Sequence, residues 1–146
     1  MIFIIILLFL IISIAISEYF KRVASYLLGD KNVSLKFNFI NCIDFFGSII
    51  LPFFLIFISK ATIFFGYPKR VYLNYYFFKR PKRDIFFVIL AGLLSNFFLV
   101  VIFVLISKMN FLPKNILASL IAVNLSLFFI NLIPIYPFSS FEILEL

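Results

Sequence analysis

Residues 85–107 read IFFVILAGLLSNFFLVVIFVLIS, without a charge from one end to the other. A helix that crosses the hydrocarbon core of a bilayer needs about 20 mostly apolar residues, and this stretch provides them. Three other apolar runs flank it. Ile2 to Ser17 is uncharged until Glu18, Lys21 and Arg22 arrive. Phe45 to Ser59 forms a second run, with Lys60 at its end, and Ile116 to Ile133 a last one that closes at Pro134. The expectation is an all-α membrane protein with about four transmembrane helices in a compact bundle, forming one domain over residues 1–146. Ala15-Ile16-Ser17 could pass for a signal-peptide cleavage site, but no Lys or Arg precedes the apolar run, so an uncleaved span is expected.

Composition agrees. Of 146 residues 65% are hydrophobic and 13% charged, and mean hydropathy is +1.22. A soluble domain is near half apolar and a quarter charged, so a water-soluble globule is excluded and the lipid bilayer is the expected partner. The chain contains no histidine and one cysteine. That excludes imidazole metal sites, Ser-His or Cys-His nucleophile pairs and internal disulfides. Cys42, with no partner at ligand spacing, reads as a small buried apolar residue.

The connections are short. Lys36 to Asn41 alternates polar and apolar residues as a strand does, so a short β-hairpin-like segment is expected after the first helix. Residues 67–84 hold Lys69, Arg70, Lys79, Arg80, Lys82 and Arg83 against one acid, Asp84. This fits a cytoplasmic loop under the positive-inside rule, or a lipid-headgroup patch; nucleic acid is not expected as a partner. With four spans the two sides carry no decisive Lys/Arg bias, and the orientation stays open.

Ionisable groups within a membrane are candidates for function. Lys21 and Arg22 stand at i+3 and i+4 from Glu18, so all three share a helix face and either cation can pair with the carboxylate. Read alone, the triplet marks a helix end with its charges snorkelling to the interface. Asn96, Asn124 and Asn131 read as polar residues that hydrogen-bond neighbouring helices, with Asn96 and Asn131 the expected polar core. Ala91-Gly92 and Ser95 give a small-residue face for close helix approach.

The order of these features resembles a known pattern. Residues 17–21 read Ser-Glu-Tyr-Phe-Lys and 26–30 read Tyr-Leu-Leu-Gly-Asp. Asn38, Ile43-Asp44, Gly47 and Pro52 follow, then Phe65-Gly66-Tyr67-Pro68-Lys69 and Asn74. Ala91-Gly92-Leu93-Leu94-Ser95-Asn96 and Asn131-Leu132-Ile133-Pro134-Ile135-Tyr136-Pro137-Phe138-Ser139-Ser140 complete the series. In this order and spacing, from about Ser13 to Leu144, the chain resembles the site-2 proteases, intramembrane zinc metalloproteases of the M50 type, whose compact members belong to bacteria. All four glycines fall on family positions. The resemblance implies a multi-pass protein of a bacterial inner membrane.

In that family the stretch at 17–21 is His-Glu-x-x-His, in which two imidazoles at i and i+4 bind zinc and the Glu is general base. An aspartate in the last motif is the third ligand. Carried over, the ligand positions are Ser17, Lys21 and Ser139, and only the general-base position, Glu18, is retained. Two serines and an ammonium do not make a zinc site, so no cofactor is expected. The resemblance therefore implies a catalytically inactive homologue that binds or regulates a transmembrane partner segment. A Glu18–Lys21 or Glu18–Arg22 pair is expected in the metal's place. The alternatives are an active intramembrane metalloprotease with unusual or partner-supplied ligands, and a small transporter or channel component that uses Glu18 and the asparagines.

Overall fold

In a computed structural model the described residues are 2–60, 63–69, 73–109, 112–136, 138 and 140–141. The first helix, α1 (Ile2–Leu28), does not stop at its charged triplet. It continues for nearly three turns beyond Glu18 and ends where Gly29 adopts φ 140°, with Gly29 and Asp30 N–H both donating to Ser25 O. Nothing but glycine fits there: a Cβ on Gly29 would lie 2.5 Å from Phe77 O. Glu18 thus lies inside the helix and is fully buried, which corrects the reading of a snorkelling helix end.

The stretch after α1 holds the two main departures from expectation. Residues 36–41 form no strand, and none occurs among the described residues. Asn38 accepts a hydrogen bond from Ile40 N–H and starts a single helical turn, α2 (Phe39–Cys42). With no neighbouring strand to pair with, the alternating pattern has no ladder to join. The second departure concerns α3 (Phe45–Ile58). It consists of six residues of π-helix, opened by the Asp44 side chain accepting from Gly47 N–H, and eight of α-helix. At about 1.5 Å per residue it extends roughly 20 Å, short of a hydrocarbon core about 30 Å thick.

Beyond Ser59 the chain turns at Lys60, which has φ 53°, and an extended segment over 63–69 comes back alongside α3. Tyr67 N–H donates to Gly47 O at 3.1 Å and Lys69 N–H to Cys42 O at 3.3 Å. Ser48 Oγ donates to Tyr67 O at 2.7 Å. Phe64, Gly66 and Pro68 alternate inward along this return.

Two long helices follow, α4 (Pro81–Lys108) and α5 (Lys114–Leu132), separated by five residues of sequence. Among the described residues three helices, α1, α4 and α5, are long and apolar enough to cross a membrane. That suits a multi-pass membrane protein. The fourth expected span is the α3 hairpin, and the geometry of its neighbours explains why. Phe9 packs edge-on against Phe103, Ser17 meets Gly92, and Leu28 shares a cluster with Phe78 and Ile85. Hence α4 runs antiparallel to α1 and begins at the level where α1 ends. Whatever enters the bundle between them must return to the same side.

Three apolar clusters hold the helices. Ile6, Leu10 and Ile14 of α1 pack with Ile56 of α3, Phe64 of the return and Val123 and Leu127 of α5. Ile85 to Leu93 form a second cluster with Ala24 and Leu28. Phe103, Leu117 and Leu120 form a third near the end of α4 and the start of α5. The core is mostly Ile, Leu and Val, whereas phenylalanines such as Phe53, Phe57, Phe87 and Phe98 face outward, where a lipid-facing surface needs apolar side chains.

Candidate functional site

Between the first and second clusters lies a polar layer. It forms where α1 presents Ser17, Glu18, Lys21 and Ser25, all buried, toward the small-residue face of α4. Lys21 Nζ lies 2.6 Å from Glu18 Oε2, with the side chains 3% and 0% exposed. The i, i+3 spacing puts both groups on one face of α1. The contact is an ion pair without the alignment of a hydrogen bond, and Glu18 Oε1 has no hydrogen-bond partner among the described residues.

Gly92 makes this arrangement possible. The Lys21 stem lies against it so closely that a Cβ there would meet Lys21 Cγ at 2.7 Å, and Cδ and Cε at 3.1 Å. Its carbonyl accepts two hydroxyl hydrogen bonds, from Ser17 Oγ at 2.9 Å across the helix interface and from Ser95 Oγ at 2.7 Å within α4. Ser17 therefore ties α1 to α4 at the level of the ion pair.

Arg22, the other candidate partner of Glu18, turns away. Its Nη2 donates to Asn41 O at 2.7 Å, which anchors the α2 turn to α1. That turn carries Cys42, which is buried within electrostatic range of Arg22, Glu18 and Lys21. In sequence this cysteine is 20 residues beyond Arg22, and the fold back of residues 31–42 brings it near. Burial pushes its thiol above the ordinary value, with Glu18 adding to the rise and Arg22 and Lys21 opposing it. Less thiolate is then present at any given pH, so Cys42 is expected to react with N-ethylmaleimide at neutral pH at least about tenfold more slowly in the folded chain than after denaturation. Equal rates would contradict its placement.

The asparagines divide. Asn96 is fully buried, and neither amide atom has a hydrogen-bond partner among the described residues. Asn124 Nδ2 donates to Leu120 O and Asn131 Nδ2 to Leu127 O, each one turn back in its own helix. For Asn124 and Asn131 these bonds lie within one helix, whereas Ser17 donates across the α1–α4 interface. Ser139 lies outside the described residues. Its neighbour Ser140 is buried, and its hydroxyl donates to Asn131 O, drawing the segment after α5 back over the bundle. Phe138 packs edge-on against Phe65 of the return segment, at 5.4 Å between ring centres. Among the described residues no three or more His, Cys, Asp or Glu come together as they would around a metal ion.

The chain is similar to "Putative zinc metalloprotease YwhC" of Bacillus subtilis (strain 168), at 30% identity over 152 aligned positions. The similarity covers 93% of this chain, and the chain spans 65% of that relative's length. No family model matches the chain, and no solved structure does. The aligned region takes in nearly everything described above, from the polar layer on α1 to the end of α5.

Proposed function

We propose that this chain is a metal-free member of the site-2 protease family that keeps the membrane fold, does not hydrolyse peptide bonds, and binds or regulates a transmembrane partner. The buried Glu18–Lys21 pair carries the reading. In the motif alignment Glu18 occupies the general-base position and Lys21 a ligand position. An ammonium group thus meets the carboxylate where the family would place a cation and its imidazole ligand. The similarity to the Bacillus subtilis relative supports the family.

The donor set does not fit zinc. The Ser17 hydroxyl is committed to Gly92 O, and Lys21 brings positive charge to the place a dication would need. Cys42 is the nearest sulfur, with a thiol held toward its protonated form by burial. A catalytic zinc site takes three protein ligands, and Glu18 with Cys42 does not make three. Without a bound metal ion nothing lowers the pKa of a water toward neutrality, and Glu18 alone is too weak a base to deprotonate it efficiently.

Metal analysis of the purified, detergent-solubilised chain tests this reading. The expected result is far less than one zinc per chain, unchanged by Glu18→Gln. Stoichiometric zinc that a chelator removes and that Glu18→Gln weakens would overturn it.

A further inference from the structure

The antiparallel course of α1 and α4 gathers charge at one end of the bundle. That end holds the last turns of α1, the residues up to Cys42, and the start of α4. Its exposed cations among the described residues are Lys31, Lys36, Lys69, Lys79, Arg80, Lys82 and Arg83. At the other end, where α4 stops and α5 starts, the described residues offer Lys108 and Lys114, and Lys60 ends the outward arm of the α3 hairpin. With three crossings instead of four, the positive-inside rule gives a clear answer: the basic end is cytoplasmic.

The height of the basic cluster follows from α4. Ile85 to Ser107 alone is long enough to fill the hydrocarbon, so Pro81 to Asp84 and the turn before them stand at the headgroups. That turn, Tyr75–Phe77, is a 3-10 turn opened by Asn74. Its three aromatic side chains are exposed, Tyr76 to 96%. Exposed aromatics next to cations are typical of a bilayer interface. The nearby acids among the described residues, Asp30 and Asp84, are both buried and do not neutralise the outward surface. Asp84 is buried, accepts from Arg80 N–H at 3.0 Å and takes Arg83 Nε and Nη2 on Oδ1 at 3.0 and 2.9 Å. Lys79, Arg80 and Lys82 are left facing out.

We infer that residues 75–82 form a binding surface for anionic phospholipid headgroups of the cytoplasmic leaflet, with Lys79, Arg80 and Lys82 meeting the phosphates and Tyr76 and Phe77 resting among the glycerol backbones. The charged groups supply the preference for an anionic lipid over a zwitterionic one; the aromatic turn fixes the depth at which they act.

The purified full chain in a neutral detergent can be titrated with phosphatidylglycerol and with phosphatidylcholine, and bound lipid counted by native mass spectrometry. Phosphatidylglycerol is expected to bind at least about tenfold more tightly, with each of Lys79→Gln, Arg80→Gln and Lys82→Gln lowering its affinity about fivefold. Lys108→Gln with Lys114→Gln, at the other end, should leave it unchanged. Because the three single variants lie on the surface, each is read against an unchanged unfolding midpoint. Equal binding of the two lipids, or an equal loss in the Lys108/Lys114 variant, would overturn the inference. So would full displacement of the lipid by millimolar inorganic phosphate, which marks a free-phosphate site, or by a short oligonucleotide, which marks a nucleic-acid surface.

Discussion

Lys21→Met should destabilise the folded chain by about 3–5 kcal/mol, the usual cost of stranding one member of a buried ion pair. Glu18 is fully buried, and Lys21 Nζ at 2.6 Å is its ionic partner. Methionine keeps most of the stem that packs on Gly92, so the change tests charge more than volume. The double variant Glu18→Gln/Lys21→Met removes both charges and is expected to recover most of the loss, because well-packed neutral groups often do as well as a buried pair. Unfolding midpoints in mixed micelles, measured for the two singles and the double, give the coupling directly. A loss below about 1 kcal/mol in Lys21→Met, or a double variant as poor as the sum of the singles, would show that the pair does not organise the bundle.

Gly47→Ala is expected to cost about 1–3 kcal/mol, the range for forcing extra volume into a packed site. The Tyr67 ring lies over Gly47, and a Cβ there would collide with its Cε2, Cδ2 and Cζ atoms. The ring cannot swing aside without disturbing its own backbone, which is bonded to Gly47 O and Ser48 Oγ. The damage should therefore be local to the hairpin. Protease cutting near Lys60 and Lys69 should speed up, while the α1–α4 contact at Ser17 and Gly92 persists. Gly47→Ala/Tyr67→Leu should regain part of the stability, since the smaller side chain leaves room for the added methyl. An unfolding midpoint and cutting rate equal to those of the unmodified chain would contradict the close approach.

The three long helices were legible because length and apolarity are local properties, and 85–107 has both. The α3 hairpin was not, because Phe45 to Ser59 is as apolar as a crossing segment. What distinguishes it is the pairing of Phe9 with Phe103 and Ser17 with Gly92, which are distant in sequence. The Glu18–Lys21 contact could be read from i, i+3 spacing on one helix, and the small-residue face at Gly92 from its composition. Two features could not. Cys42 comes near the charged layer only through the bond from Arg22 to Asn41 O. The asparagine spacing, in turn, gave no sign that Asn124 and Asn131 would donate to their own helix.

The first apolar cluster also bears on how the chain is made. The slot that receives Ile56 and Phe64 has one wall from α1 and another from Val123 and Leu127 of α5. A ribosome delivers α1 and the hairpin well before α5, so for much of synthesis the hairpin has half a binding site. Its final docking must wait until α5 has been inserted, making the closing of that slot a late event in assembly.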